Sequence, residues 1–257
     1  RSFPYLTFIS LPAVLENIGT LRSNALPKIL ILVTIPLLLY ESFLYLNGDY
    51  YKYTNTDASP RLEFKESGKK ALDFVLANKL PQPIFNNFDI GSYITYRGWP
   101  EYRIFVDGRP GEYPKEFFQQ VYIPSQYDAQ KFKELDQRIG FKTIIFSITD
   151  QTPWGKAFLA SIVKDNNWKT VYIDDFIIVL VTSQGEALEA KAIDLSNLNP
   201  ASYSFDSYLS YLRLSLFLVQ TGNLTSAEKF AKVGLSLFPE SPLGNALFGI
   251  NTQNKSH

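Results

Sequence analysis

The sequence predicts an α/β fold in which a mainly parallel sheet ends in an antiparallel edge hairpin, preceded by a transmembrane helix and followed by a tetratricopeptide-like helical hairpin. Three observations predict it. Residues 29–46 form a nearly uncharged apolar run, residues 62–182 alternate between helical and strand periodicity, and residues 208–238 return to helical periodicity with small residues at intervals. The 257 residues divide accordingly. Residues 1–24 read as the end of an upstream membrane region or an interfacial segment, 25–48 as the membrane helix, 60–183 as an extracytoplasmic α/β domain and 200–250 as the helical segment. The chain begins at Arg1 within apolar sequence and reads as a piece of a longer protein.

The membrane assignment rests on charge and length. No charge falls between Ile29 and Tyr40, and after Glu41 the apolar character resumes at Phe43, Leu44, Tyr45 and Leu46. That gives roughly 20 residues, enough to span, and Pro36 is tolerated in such a helix. Tyr40, Tyr45, Tyr50, Tyr51 and Tyr53 make the aromatic belt. A kinked helix buried in a globular core is the alternative. Arg22 and Lys28 precede the run while Asn47, Gly48 and Asp49 follow it, so the positive-inside rule puts the amino end in the cytoplasm and residues after 48 outside a cell membrane.

After a polar linker at 52–60, residues 62–80 carry Leu62, Ala71, Leu72 and Val75 at helical spacing, and Pro81 and Pro83 stop the helix. Residues 83–86, 104–106 and 143–147 read as strands, with helices around 115–121, 128–139 and 153–166. Two β-branched runs, 169–173 and 176–182, flank Asp174-Asp175 and form a hairpin; the two carboxylates are turn formers or a metal pair.

This order sets 84–86 beside 104–106, with Asn87, Asp89, Asp107 and Arg109 at the carboxyl ends, where open α/β sheets hold ligands. Two uses are open to them. Asn87, Asp89, Tyr93, Asp107, Arg109 and Glu112 line a site for a polar ligand such as a sugar or phosphate, with Tyr93, Tyr96 and Trp99 able to stack on a ring. Alternatively, Asn87 or Asp89 caps a helix starting near Ile90, Gly108 permits a turn, and Arg109 pairs with Asp107 or Glu112.

Composition narrows the chemistry. There is no Cys and no Met, and the single His is His257, so thiolate nucleophiles, Ser-His-Asp triads and imidazole metal sites are excluded or disfavoured. Twenty-five basic residues balance 25 acidic ones, leaving no field to attract nucleic acid. Gly91, Gly98, Gly108 and Gly111 make no phosphate-cradling loop. We assign no catalytic residue, metal or cofactor.

The segments FNNFDIGSYITYRGWPEYRIFVDGRPGEYP, GFKTIIF and NNWKTVYIDDFIIVLV together resemble the extracytoplasmic carboxy-terminal domain of bacterial multi-span membrane proteins similar to the polyprenyl-phosphate-sugar-dependent glycosyltransferases of the GT-C fold. The most specific pieces are Asn87-x-Asp89-x-Gly91-x-Tyr93 and Val106-Asp107-Gly108-Arg109, and the resemblance covers nearly the whole chain up to residue 183. It implies catalytic carboxylates in an upstream region and an accessory domain here, helping to position a lipid-linked sugar or acceptor. The partners it implies are the lipid bilayer and a polyprenyl-phosphate-linked sugar.

Beyond a polar bridge at 184–199, residues 208–220 and 225–238 form two amphipathic helices joined by Thr221-Gly222-Asn223. The pair resembles one tetratricopeptide repeat, with Tyr211, Leu214, Leu218, Gly222, Ala227, Ala231, Gly234 and Pro239 at that family's bulky, small and stop positions. One repeat cannot bury its own face, so it docks on the α/β domain or continues elsewhere, with another helix starting at Ser241. The alternative function is therefore a membrane-tethered binding or scaffolding module that recruits envelope proteins through this segment.

Overall fold

A computed structural model describes residues 16, 26–49, 67–183 and 192–253. The assignments for residues 1–24 (residue 16 apart), for Tyr50, Tyr51 and Tyr53 of the aromatic belt and for the linker at 52–60 lie outside the described residues. The chain divides into two units, Arg1–Leu62 and Glu63–His257.

In the first unit the apolar run forms helix α1, Leu26–Asn47, with Pro36 inside it. Its described side chains run from Leu32 onward. Glu41 falls within that stretch. Among the described residues no helix is long and apolar enough to cross a membrane. This overturns the transmembrane helix at 25–48, and with it the cell-membrane location and the outside placement of residues after 48. What α1 does show is apolar exposure on every side: Leu32, Ile35, Leu38, Leu39, Phe43 and Leu46 all face outward, so no single face is reserved for packing.

The second unit is built on a four-stranded sheet of order β1-β2-β4-β3: β1 Ile84–Asn86, β2 Thr143–Ser147, β3 Trp168–Ile173 and β4 Ile177–Thr182. Only β1 and β2 run parallel; β4 is antiparallel to both β2 and β3. The expected mainly parallel sheet is therefore corrected to a small mixed one, and 60% of the described residues are helical. Two causes are visible. The β3–β4 hairpin turns back so that its second strand enters the sheet beside β2, and the segment 104–106, expected as a parallel strand, bends at Phe105 and stays outside the ladder. The hairpin turn itself is closed by Asp174, whose Oδ1 accepts from the backbone N–H of Phe176 at 2.8 Å and of Ile177 at 2.7 Å.

Strand side chains alternate between two apolar layers, as the two-residue period requires. Phe85, Ile144, Phe146, Ile178 and Leu180 face one core. Ile84, Ile145, Ile177, Val179 and Val181 face the other. The second core is covered by α2, Lys69–Ala77, and α3, Phe88–Gly98, through Ala71, Leu72, Val75, Ile90 and Ile94. The first is covered by three elements between β1 and β3: a π-helix Phe117–Tyr122 running into α4, Ile123–Tyr127; then α5, Ala129–Ile139; then α6, Pro153–Ile162. Each start is signalled locally. Asp128 accepts from Gln130 N at the head of α5, Thr152 accepts from Gly155 N at the head of α6, and Gly140 at φ 74° ends α5 in the left-handed conformation.

The helical segment follows the predicted boundaries closely: α7 Tyr208–Gln220, α8 Leu224–Leu237 and α9 Pro242–Gln253. Small residues let α7 and α8 approach. Ala227 and Ala231 are fully buried, a Cβ on Gly234 would lie 2.6 Å from Leu212, and the Ser215 hydroxyl donates to the Ala227 carbonyl at 2.8 Å. Leu214, Phe217, Leu218 and Phe230 join the same core as Phe146 and Ile178. The repeat thus satisfies its apolar face by covering the sheet.

Candidate functional site

The polar cluster read from the sequence sits at the carboxyl ends of β1 and β2, and it is built around two buried amides. Asn86, the last residue of β1, holds the neighbouring segment 105–106 with its side chain. Its Oδ1 accepts from the N–H groups of Phe105 at 2.9 Å and Val106 at 3.4 Å, and its Nδ2 donates to the carbonyls of Val106 at 2.7 Å and Asn87 at 2.9 Å. An amide side chain therefore replaces the ladder that residues 104–106 were expected to form. Gly91 permits this closeness, because a Cβ there would lie 2.0 Å from the Val106 carbonyl oxygen.

Asn87 occupies the N-cap position of α3, but its side chain makes no cap bond. It turns inward: Oδ1 accepts from Ser147 N at 3.1 Å at the end of β2, and Nδ2 donates to Asp150 Oδ2 at 3.4 Å. Asp150 is buried, and its Oδ1 accepts from both the N–H and the hydroxyl of Thr152, at 2.8 and 2.7 Å. A Cβ on Gly155 would strike that carboxylate at 2.5 Å, so the first turn of α6 needs glycine beside it. The N-terminal amide of α3, Phe88 N–H, donates to the Tyr122 hydroxyl at 2.7 Å, and burial pushes that phenol well above the usual tyrosine range.

Asp107 and Arg109 form the second half. Asp107 is 2% exposed; its Oδ1 accepts from Arg109 N at 3.0 Å, and its Oδ2 accepts from Arg109 Nε at 2.9 Å and Nη2 at 2.6 Å. Both guanidinium donors converge on one oxygen while the backbone N–H takes the other, wrapping the pair on its own turn. Its hydrogen bonds hold the Asp107 carboxyl below the ordinary carboxylate range against the opposing effect of burial. Asp107 N–H donates to the Tyr113 hydroxyl at 3.1 Å, and Gly108 N–H donates to Ser92 Oγ at 3.2 Å, tying the turn to α3.

Of the six expected ligand-binding residues, the fold brings Asn87, Asp89, Asp107 and Arg109 to one end of the sheet but gives them unequal freedom. Asn87 and Asp107 are buried and bonded, and the exposed Arg109 is paired with Asp107. Asp89 is exposed at the first turn of α3; partial burial, with Asp150 adding to it, raises its carboxyl above the usual value. Glu112 is exposed in the short 3-10 turn Pro110–Glu112. Tyr93 is half-buried, receives a bond from Arg97 Nη1 at 3.4 Å and lies 6.4 Å, centre to centre, from Tyr96. Tyr96 and Trp99 stand outward on the same helix end, 76% and 65% exposed.

Asp150, Tyr122 and Gly155 belong to this cluster and were not singled out from the sequence. A helix-start pattern of Asp150-x-Thr152-Pro153 was there to be read. Among the described residues no group of three or more His, Cys, Asp or Glu side chains converges in a way that would hold a metal ion. Chemically the arrangement is a latch, with each buried amide and carboxylate fixing a backbone segment. Compared with protein-family models, curated proteins and solved structures, the chain matches none.

Proposed function

We propose that this chain is a non-catalytic domain of a glycosyltransferase resembling the GT-C enzymes, and that it helps position a lipid-linked sugar or its acceptor. The observation that carries the non-catalytic part is the saturation of the sheet-end cluster. Asn86, Asn87, Asp107 and Asp150 already spend their polar atoms on the protein's own backbone and side chains, and this is a poor starting point for acid–base work on a substrate. The same motif residues carry the sequence resemblance. Exposed Tyr96 and Trp99, at the other end of α3 from that cluster, offer ring faces of the kind that sugars stack on. The other reading, recruitment of proteins through the tetratricopeptide-like pair, has less in its favour, because α7 and α8 commit Leu214, Phe217 and Phe230 to the sheet core.

The test is transfer by the full-length enzyme. Asp107→Ala combined with Arg109→Ala should lower its rate, while the purified chain alone should neither transfer nor hydrolyse a lipid-linked sugar. Turnover by the chain alone, or an unchanged rate in the doubly substituted enzyme, would refute the proposal.

A further inference from the structure

The chain holds one Asn-Gly pair, Asn47-Gly48, and one Asp-Gly pair, Asp107-Gly108. Every other asparagine and aspartate is followed by a residue that carries a side chain. Both pairs share a latent reaction, because a glycine nitrogen has no side chain beside it to hinder attack on the γ-carbonyl of the residue before. The fold treats the two in opposite ways. Asp107 is shut off: its carboxylate is buried, both oxygens hold Arg109, and Gly108 N–H donates to Ser92 Oγ at 3.2 Å. Those hydrogen bonds keep the carboxyl ionised, and an ionised carboxylate is a poor target for a neighbouring nitrogen.

Asn47 is open. It is the exposed last residue of α1, and Gly48, at φ 85°, takes the left-handed conformation just beyond the helix. The Gly48 N–H has only a long bond, 3.4 Å to the Tyr45 carbonyl, and nothing lies within 4 Å of a Cβ placed on Gly48, so water reaches the pair. The Asn47 amide curls across Gly48 to Asp49: Oδ1 accepts from Asp49 N–H at 3.0 Å, and Nδ2 donates to Asp49 Oδ2 at 2.8 Å. The first contact puts an N–H on the oxygen where negative charge builds when a nucleophile adds to Cγ. The second fixes the position of the nitrogen that would leave.

We propose that Asn47 is a site of spontaneous deamidation, with water as the co-reactant. Gly48 N gives its proton to hydroxide and bonds to Asn47 Cγ; the Cγ–Nδ2 bond breaks, and ammonia leaves with a proton taken from water. Water then opens the resulting cyclic imide at either carbonyl, giving aspartate or isoaspartate, and no electron is transferred. The new carboxylate can only accept, so the bond to Asp49 is lost and two like charges meet at the negative end of the α1 dipole.

The test incubates the intact chain in heavy-oxygen water at neutral and mildly alkaline pH, with and without urea. Mass spectrometry of the digested chain, with electron-transfer fragmentation, then locates the label and separates isoaspartate from aspartate. Residue 47 should take up label in the folded chain at a rate similar to that in urea, faster at the higher pH, and with isoaspartate among the products. Isoaspartate at residue 107 should form only in urea. Asn47→Gln, which disfavours the ring closure, and separately Gly48→Ala, which shields the nitrogen, should each lose the label at residue 47. Uptake there in urea alone, earlier conversion of another asparagine in the folded chain, or undiminished uptake in Gly48→Ala would overturn the proposal. Isoaspartate at residue 107 in the folded chain would overturn the contrast between the two pairs.

Discussion

Replacing Gly91 by alanine sets two effects of opposite sign against each other. Gly91 lies inside α3, where alanine ordinarily adds about 1 kcal/mol through helix propensity. Here the new Cβ would sit 2.0 Å from the Val106 carbonyl oxygen and 2.7 Å from the Asp107 Cα, both backbone atoms. Restoring a contact of about 3.4 Å requires the 105–107 segment to move about 1.4 Å, far enough to break the 2.7 Å Asn86–Val106 bond and its 3.4 Å companion. Two buried bonds left unmade cost about 1–3 kcal/mol each, so the balance is a net loss of about 3 kcal/mol. Against a total stability of about 5–15 kcal/mol, that should lower the urea midpoint by about 1–2 M. Urea unfolding followed by tryptophan fluorescence measures it, with Gly111→Ala as control because a Cβ there meets nothing within 4 Å. A Gly91→Ala protein as stable as the parent, or about 1 kcal/mol more stable, would show that the 103–107 segment is not held as described.

Three further outcomes follow from the same geometry. Because hydrogen bonds from Arg109 depress the Asp107 carboxyl, its contribution to stability is present above the ordinary carboxylate pKa and is lost as pH falls through the depressed value; Arg109→Ala should flatten that acid limb in urea midpoints taken across the acid range, and an unchanged limb would count against the pair. Asp174 has the opposite sign: burial raises its carboxyl, so its contribution is present below the ordinary pKa and lost as pH rises through the raised value, and Asp174→Asn, which keeps the Oδ1 acceptor, should gain on the parent from acid to neutral pH in the same assay. The outward side chains of α1, with Leu32 74%, Leu39 66% and Leu46 75% exposed, should make the chain self-associate in detergent-free buffer, and Leu38→Glu with Leu39→Glu should reduce this by sedimentation velocity; a monodisperse parent would contradict it.

Legibility in the sequence depended on how local each cause was. The β3–β4 hairpin, β2 and the α7–α8 pair were visible because period, turn residues and stops lie within a few residues of one another: Asp174 closes its own turn, and Ala227, Ala231 and Gly234 sit at helical spacing. The order of strands was less visible, although one sign was present. All but the last residue of β4 are buried, reading as the continuous apolar run of a central strand, whereas β3 exposes Lys169 as an edge does. The segment 104–106 misled because its backbone partners are the side chain of Asn86, twenty residues earlier, and nothing in its own composition distinguishes an amide from a neighbouring strand. Asn87, Asp107 and Arg109 were read at one sheet end, but the sequence left open whether they face a ligand or the backbone, since the same residue types serve both. Asp150 and Tyr122 escaped notice because their partners are 63 and 34 residues away.

The donors and acceptors at that sheet end decide between the two uses. At the end marked by Asn86 and Ser147, two neutral amides are needed and not two carboxylates, because each must accept and donate at once; Asn86 does both for the 105–106 backbone, and an aspartate there would lose two donated bonds and bury a charge. Such an end is closed by its own side chains, and evolution toward a bound ligand would have to break the latch that joins β1, β2 and α3. The latch end therefore accounts for how the fold is held.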